Sequence, residues 1–252
     1  MGDISIKTIW SDKATNSEIN DFRDVVNTVF GYFCTEDYFK RKYLDNIYGP
    51  SLLIIVYEND KPVGANGLWR NDIDGKKAYH SVDTSVKQSD NKVIVFAIIL
   101  KSMLEFLSEQ KDSFLYAFPN SNSFSGFKKM KWNVKIYRKV FFIPGLSSET
   151  MLHNVESKYA LWWLKGVKGI CHIKRMGRYY LIKTVQAKGI ARVLGRVDKQ
   201  TAILFPKPQS FIFILYCESE KQTFYNKKWP GIPLVDTNDG NTFIPFYKMD
   251  SI

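Results

Sequence analysis

The sequence predicts a mixed α/β protein: an N-terminal domain with a central mixed sheet flanked by helices, then a smaller β-rich domain. Two observations support this fold class. Apolar residues alternate with period two in several short runs, which is typical of strands, and recur at helical spacing between those runs. Hydrophobic residues make up 45% of the 252 residues and aromatic residues 15%, which is enough for a packed core.

The first domain, residues 1–146, is predicted to follow the order β, α, α, β, β, β, α, β, α, β. It begins with a strand at Ile4–Trp10 and a helix whose N-cap is Ser17, and Thr35 caps a second helix. An antiparallel meander and a strand–helix–strand crossover should follow. Their predicted segments are Ser51–Tyr57, Val63–Trp69, Ala78–Val86, a long helix from Val93, Ser113–Phe118, a helix at Phe124–Lys131, and Trp132–Phe142.

The second domain, residues 147–252, is predicted to follow a linker at 145–150. It would be a small β-rich domain of its own, or its strands would complete a shared sheet. Its predicted segments are a helix at Met151–Leu164 and strands at Tyr179–Val185, Ala191–Val197, Ala202–Phe205 and Phe211–Tyr216.

The charge is distributed unevenly along the chain. Residues 149–252 carry 16 Lys and Arg against 8 Asp and Glu, whereas residues 1–148 carry 20 against 17. A basic surface of this kind suits an anionic partner, although it is also common on a solvated surface. The basic, aromatic stretch Lys165–Lys183 could contact nucleic acid, but no nucleic-acid-binding motif accompanies it, so that partner is not expected.

Several other classes of protein are not expected. The longest unbroken apolar run, Val93–Leu100, is too short to span a membrane. Three widely spaced cysteines and no signal pattern favour a reducing cytoplasm. The three histidines, His80, His153 and His172, lack the spacing of metal ligands, so no metal is predicted.

The segment Ser81–Leu107 is the centre of the predicted N-terminal domain. A strand runs through a polar turn into a buried helix, and the first N–H groups of a helix have no partner within it. Together with the helix dipole, these groups make the junction a natural site for an anion.

Three local patterns resemble the GNAT acyltransferase superfamily over a little over half of the chain. The turn Gln88–Val93 resembles that family's coenzyme A loop, Gln/Arg-x-x-Gly-x-Gly/Ala, with Gln88 matched and Asn91 and Val93 in place of the glycines. The segment Asn120–Trp132 resembles Asn-x-x-Ala-x-x-Leu-Tyr-x-Lys-x-Gly-Phe, with Phe127 in place of the tyrosine. The start of the third strand, Lys61–Gly64, resembles Lys-x-Val-Gly.

This resemblance implies an N-acyltransferase that uses acyl-CoA, by default acetyl-CoA, and a small amine as acceptor. The basic C-terminal part favours an anionic acceptor such as a nucleotide-linked amino sugar. Asp83 and His80 are the candidate catalytic bases. The candidate coenzyme-binding residues are Thr84, Ser85, Val86, Gln88, Asn91, Lys92, Val93, Asn120 and Phe127. The C-terminal domain could be a degenerate second GNAT-like unit.

The departures from the family pattern support an alternative function. Glycines permit positive φ and a close approach of the backbone to phosphate; we expect Asn91 to replace one because asparagine tolerates that conformation, whereas Val93 adds bulk. Lys87 and Lys92 could contact phosphate directly. Phe127 cannot donate a proton, so water or another group would protonate the leaving thiolate. The alternative is a GNAT-like protein that has lost catalysis and serves in binding or scaffolding.

Overall fold

The structure is a computed structural model, and it describes residues 3–31, 34–110, 112–143, 152, 154–184, 189–210, 212, 214–219 and 232–237. The chain forms two compact units. The N-terminal unit is Met1–Val134 together with Leu234–Phe243, and the C-terminal unit is Lys135–Pro233 together with Ile244–Ile252. The predicted linker at 145–150 lies outside the described residues.

The structure confirms a mixed α/β fold with a large mixed sheet and a second, smaller sheet. The described strands, in chain order, are β1 Ile4–Trp10, β2 Leu52–Glu58, β3 Lys61–Arg70, β4 Lys77–Val86, β5 Ser113–Ala117, β6 Asn133–Phe141, β7 Ile170–Arg175, β8 Arg178–Thr184, β9 Ile190–Val197, β10 Ile214–Ser219 and β11 Ile232–Asp236. The described helices are α1 Asn16–Phe30, α2 Glu36–Phe39 with a wider π-helical turn at Lys40–Leu44, α3 Lys92–Glu109, α4 Ser121–Lys129, α5 Ser157–Tyr159 with a π-helical turn at Ala160–Leu164, and α6 Lys199–Ala202.

The sheet of the N-terminal unit has the strand order β1-β2-β3-β4-β5-β11. Strands β1 to β4 are antiparallel, β4 and β5 are parallel, and β11 pairs antiparallel with β5 through Val235 and Asp236. The parallel pair requires a crossover, and α3 provides it. Strand β11, which comes from about 115 residues farther along the chain, was not predicted.

Helices cover both faces of this sheet. Because side chains alternate along a strand, Leu52, Ile54 and Val56 of β2 face α3, whereas Leu53 and Ile55 face the opposite side. On the α3 face these residues form one buried cluster with the apolar side of the helix. Its α3 members are Val95, Ile99, Leu100, Met103 and Phe106.

Helix α1 begins earlier than the sequence suggested. Ser17 was the predicted N-cap, but the structure places Thr15 there, because its hydroxyl accepts from the backbone N–H of Glu18 while the Glu18 carboxylate accepts from the N–H of Thr15. This reciprocal capping box satisfies two N–H groups at once. The predicted cap of the second helix, Thr35, is confirmed.

The sheet of the C-terminal unit has the order β6-β10-β9-β8-β7. Two predictions for this unit were wrong. The predicted helix at Met151–Leu164 begins at Ser157 in the structure. The predicted strand at Ala202–Phe205 is instead the end of α6 and a turn, because the Asp198 carboxylate accepts from the backbone N–H of Thr201 and starts a helix there.

Among the described residues, no helix is both long and apolar enough to cross a membrane. Within the same part of the chain, no group of three His, Cys, Asp or Glu side chains could hold a metal ion.

Candidate active site

A β-bulge in β4 lies at the centre of the candidate site. Gly67 pairs with Val82 and Ala65 pairs with Ser85, so that Asp83 and Thr84 both lie opposite Asn66. Asp83 adopts a left-handed conformation with φ of +52°. Aspartate tolerates this conformation better than most residues, and the extra residue bends the strand and redirects its side chains.

Asp83 is the acceptor of a buried polar network. The Lys42 ammonium lies 3.0 Å from Oδ2 of Asp83, and the Tyr43 hydroxyl donates to the same oxygen at 2.5 Å. The side chains of Lys42 and Asp83 are 0% and 3% exposed, so this ion pair is removed from solvent. Both donors reach Oδ2, and no hydrogen bond from the described residues is observed at Oδ1.

The π-helical turn after α2 supplies both donors. Lys42 and Tyr43 are adjacent in this turn, which ends with a backbone hydrogen bond from Asp45 to Lys40. The Lys42 ammonium also donates to the Tyr38 hydroxyl at 2.8 Å. It lies 5.4 Å from the centre of the Tyr43 ring, and its other aromatic neighbours are Tyr38 and Trp69. These rings stabilise a buried cation beyond what Asp83 contributes.

One glycine and one asparagine of β3, Gly67 and Asn66, shape the same site. A Cβ at Gly67 would overlap the Tyr43 hydroxyl, so glycine permits the approach of that ring. The Asn66 amide donates to the hydroxyls of Ser81 at 2.9 Å and Thr84 at 2.7 Å, which ties β3 across the bulge. Oδ1 of Asn66 is buried and accepts no hydrogen bond from the described residues.

His80 is buried on the same strand, three residues before Asp83. Its ring stacks on Tyr116 with 4.5 Å between ring centres. Burial, and secondarily the charge of Lys42, lowers the pKa of His80 well below 6.5, so the imidazole is neutral at pH 7. Its Nδ1 has no hydrogen-bond partner among the described residues.

The strands β4 and β5 part beside this network. Their parallel pairing covers Lys77–His80 with Ser113–Tyr116 and, in the part of the chain described, goes no further. A gap in the pairing follows His80: beyond it, no described strand pairs with β4 on the β5 side, and of Ser81–Val86 only Thr84 and Val86 are partly exposed. We call this opening the β4–β5 wedge, and three of the predicted coenzyme contacts, Thr84, Ser85 and Val86, lie along it.

The loop after β4 differs from the expectation for a phosphate loop. Asn91 was expected to adopt positive φ in place of glycine, but its φ is −93°, and its amide donates to the Glu58 carboxylate. Lys87, a predicted phosphate contact, pairs with Asp24 at 2.6 Å instead. The left-handed residue of this region is Asp83, seven residues upstream of Asp90.

The remaining loop residues are available to solvent. Gln88 and Lys92 are exposed, and the side chain of Val93 is 80% exposed, so none of them belongs to the core. Helix α3 therefore presents the N–H groups of its first turn at an open surface, with Lys92 beside them.

The contacts of the two candidate residues on α4, Asn120 and Phe127, are explained by the fold itself. Asn120 is the N-cap of α4, and its side-chain oxygen accepts from the backbone N–H groups of Asn122 and Ser123, both at 3.0 Å. Phe127 is 2% exposed and packs against Trp132 with 4.9 Å between ring centres. Neither side chain has a geometry that requires a ligand.

The structure brings together residues that the sequence did not connect. Asp83, His80, Thr84 and Ser85 lie on one strand, as predicted. Lys42, Tyr43 and Asn66 were not predicted as site residues. A partner for Asp83 was foreseeable, since a carboxylate on a central strand requires one. Nothing in the sequence identified Lys42 as that partner, because the residues around it resemble those around a lysine on the surface of a helix.

No family model and no curated relative matches this sequence. Solved structures do match the fold. A conserved protein of unknown function from Enterococcus faecalis, described as a probable N-acyltransferase, matches 93% of this chain and 72% of its own, with 9% identity and a TM-score of 0.59.

Two further structures agree with this result. A GCN5-related N-acetyltransferase from Kribbella flavida matches 92% of this chain and 71% of its own, with 9% identity and a TM-score of 0.53. Another GCN5-related N-acetyltransferase, from Anabaena variabilis, matches 92% of this chain and 72% of its own, with 10% identity and a TM-score of 0.50. The protein therefore has the fold of the GNAT superfamily, as the sequence motifs implied.

Proposed function

We propose that this protein transfers an acyl group from acyl-coenzyme A to an amine, with the β4–β5 wedge as the coenzyme site. The observation that carries this proposal is that β4 leaves β5 after His80, immediately before the bulge at Asp83. The backbone of Thr84–Val86, which has no described strand beside it on the β5 side, can pair with the amides of a pantetheine arm as an added strand would. The pyrophosphate would then approach the first turn of α3 and Lys92.

Asp83 is the proposed base or acceptor contact. Attack of an amine on the thioester forms an oxyanion, the amine loses a proton, and the thiolate leaves as the carbonyl re-forms. Oδ1 of Asp83 can accept that proton, while Lys42 and Tyr43 hold the carboxylate through Oδ2. His80 is the weaker candidate, because burial beside Lys42 disfavours its protonated form.

No described residue is assigned as the acid that protonates the thiolate. Phe127 occupies the position implied by the resemblance, and a phenylalanine has no proton to donate. We propose that water protonates the thiolate at the mouth of the wedge. Acetyl is the proposed acyl group, and an anionic amine, such as a nucleotide-linked amino sugar, is proposed from the excess of basic residues after position 148.

The test is calorimetric titration with acetyl-CoA, followed by measurement of free thiol released in the presence of an amine panel that includes amino-sugar nucleotides. We expect saturable binding, and thiol release that depends on an amine. Absence of binding at high micromolar coenzyme would contradict the proposal. A cytoplasmic location remains our prediction, because the buried thiols of Cys34 and Cys171 suit a reducing compartment.

Asp83 requires a charge-balanced test, because Asp83→Asn alone leaves Lys42 buried without its counter-ion. The double variant Lys42→Met/Asp83→Asn removes both charges, and asparagine retains the left-handed conformation. If Asp83 is the base, turnover per folded molecule should fall by about 10²- to 10⁴-fold, with coenzyme binding retained. Unaltered turnover would show that Asp83 is structural only.

A second candidate function, a binding or scaffolding protein without catalysis, is favoured by Phe127, which cannot protonate the thiolate, and by a feature of α3 that weakens coenzyme binding. The Glu58 carboxylate is held at the start of α3 by Asn91, where it opposes a phosphate. Binding of acetyl-CoA without thiol release on any amine would favour this function. Amine-dependent release would exclude it.

A further inference from the structure

The C-terminal unit repeats the strand arrangement around the wedge. Strands β7, β8 and β9 form an antiparallel meander, α6 follows, and β10 pairs parallel with β9. The N-terminal unit has the same sequence of pairings in β2, β3, β4, α3 and β5. The third strand of each meander also carries a bulge: Leu181 pairs with Gly195 and Ile182 with Val193, which leaves Leu194 as an extra residue.

The parallel strands part at the corresponding place. Pairing of β9 with β10 covers Ile190–Arg192 with Ile214–Tyr216, and it ends two residues before the bulge at Leu194. In the N-terminal unit, pairing ends at His80, three residues before Asp83. Each unit thus has a wedge beside a bulged strand.

The wedge of the C-terminal unit is occupied by the chain itself. The backbone N–H of Val155 donates to the carbonyl of Arg196 at 2.7 Å, and Asn154 forms a parallel bridge with Arg196. Arg196 lies two residues beyond the bulge, on the β9 edge that β10 has left. In the N-terminal unit the equivalent residue is Ser85, two residues beyond Asp83; it is buried, and no described residue pairs with it on the β5 side.

The start of the crossover helix in this unit is also capped from within the chain. Its crossover helix, α6, has four residues, and its N-cap is Asp198. The Asp198 carboxylate accepts from the backbone N–H of Thr201 at 2.8 Å and from the hydroxyls of Thr201 and Ser157 at 2.6 and 2.8 Å. These hydrogen bonds, those of Thr201 first, lower the pKa of Asp198 to about 2, so the helix start already holds a negative charge.

We infer that Asn154 and Val155, together with Asp198, act as a built-in substitute for a ligand in the C-terminal unit, so that each chain binds one coenzyme molecule, in the N-terminal unit. The statement about the coenzyme rests on the proposed function, whereas the occupation of the C-terminal wedge does not. The C-terminal unit then contributes no second active site.

The first test is amide hydrogen exchange on the full chain. The Val155 amide should exchange at least about 100-fold more slowly than in an unstructured chain, as the amides of β9 do. Exchange of Val155 at the unstructured rate, with β9 protected, would overturn the inference.

Val155→Pro, which removes the N–H, should lower the melting temperature more than Val155→Ala, which retains it. Equal shifts for the two variants would also overturn the inference.

The second test is titration of the full chain with coenzyme A. One equivalent per chain supports the inference, and two equivalents would overturn it. If no coenzyme binds, the proposed function fails, and the exchange of Val155 alone then decides whether the C-terminal wedge is occupied.

Discussion

At the residue scale, Lys42 is the residue on which the proposed site depends most. It is fully buried, and it neutralises Asp83 in a region where an isolated charge would be very unfavourable. Its positive charge also lowers the pKa of His80, in addition to the larger effect of burial. One lysine therefore forms an ion pair with one candidate base and disfavours the protonated form of the other.

We expect Lys42→Met to lower the free energy of unfolding by about 3–5 kcal/mol, because it leaves the Asp83 carboxylate buried without its counter-ion. Urea denaturation measures this loss. Lys42→Met/Asp83→Asn should recover part of the stability. If the double variant loses the sum of the two single losses, the pair does not interact as the structure indicates.

His80 should make the protein less stable in acid. Its pKa is lower in the folded state than the usual 6.5, so below pH 6.5 the unfolded chain binds a proton that the folded chain does not. Stability is unaffected by this group above pH 6.5 and falls by about 1.4 kcal/mol for each pH unit below it, until the pH reaches the lower pKa of the folded state.

The measurement is the difference in unfolding free energy between pH 7 and pH 5. The wild-type protein should lose about 2 kcal/mol more than His80→Phe, which preserves the stacking on Tyr116 but cannot titrate. An equal loss in both proteins would show that His80 takes up a proton in the folded state.

At the element scale, the start of α3 determines how well phosphate could bind. Its first-turn N–H groups are open, but Glu58 lies beside Asn91 and weakens the attraction for an anion. Val93 is exposed and lies outside the core. The missing glycines are therefore less important here than the neighbouring carboxylate.

Glu58→Gln should tighten coenzyme A binding by about two- to five-fold at low salt, and the gain should shrink as salt increases. Asp112→Asn is a matched control, since it removes the same charge beyond the opposite end of α3, about 27 Å away. Calorimetry on the two variants gives the comparison. An equal effect of both would mean that only the net charge matters.

The sequence predicted elements better than it predicted their contacts. The meander, α3 and the parallel strand were predicted because their patterns are local and regular. The helix start at Thr15 and the turn at Asp198 were not, because a single side-chain hydrogen bond decides each boundary. The Lys42–Asp83 pair joins residues 41 positions apart, and local patterns contain no information about it.

At the scale of the whole molecule, each unit is built from two separate stretches of the chain. Leu234–Asp236 joins the sheet of the N-terminal unit, and Arg138–Phe141 of β6 joins that of the C-terminal unit. The sequence predicted a boundary at residue 146 between two continuous domains. By compactness, the chain passes from the N-terminal to the C-terminal unit between Val134 and Lys135.

The central claim is that acyl-coenzyme A binds in the β4–β5 wedge, and hydrogen exchange with and without acetyl-CoA tests it most directly. We predict that the coenzyme slows exchange in Ser81–Ile94, which includes the edge of β4 at the wedge and the first turn of α3, and leaves β7 to β9 unchanged. Saturable binding with no change in Ser81–Ile94, or protection confined to the C-terminal unit, would contradict the claim.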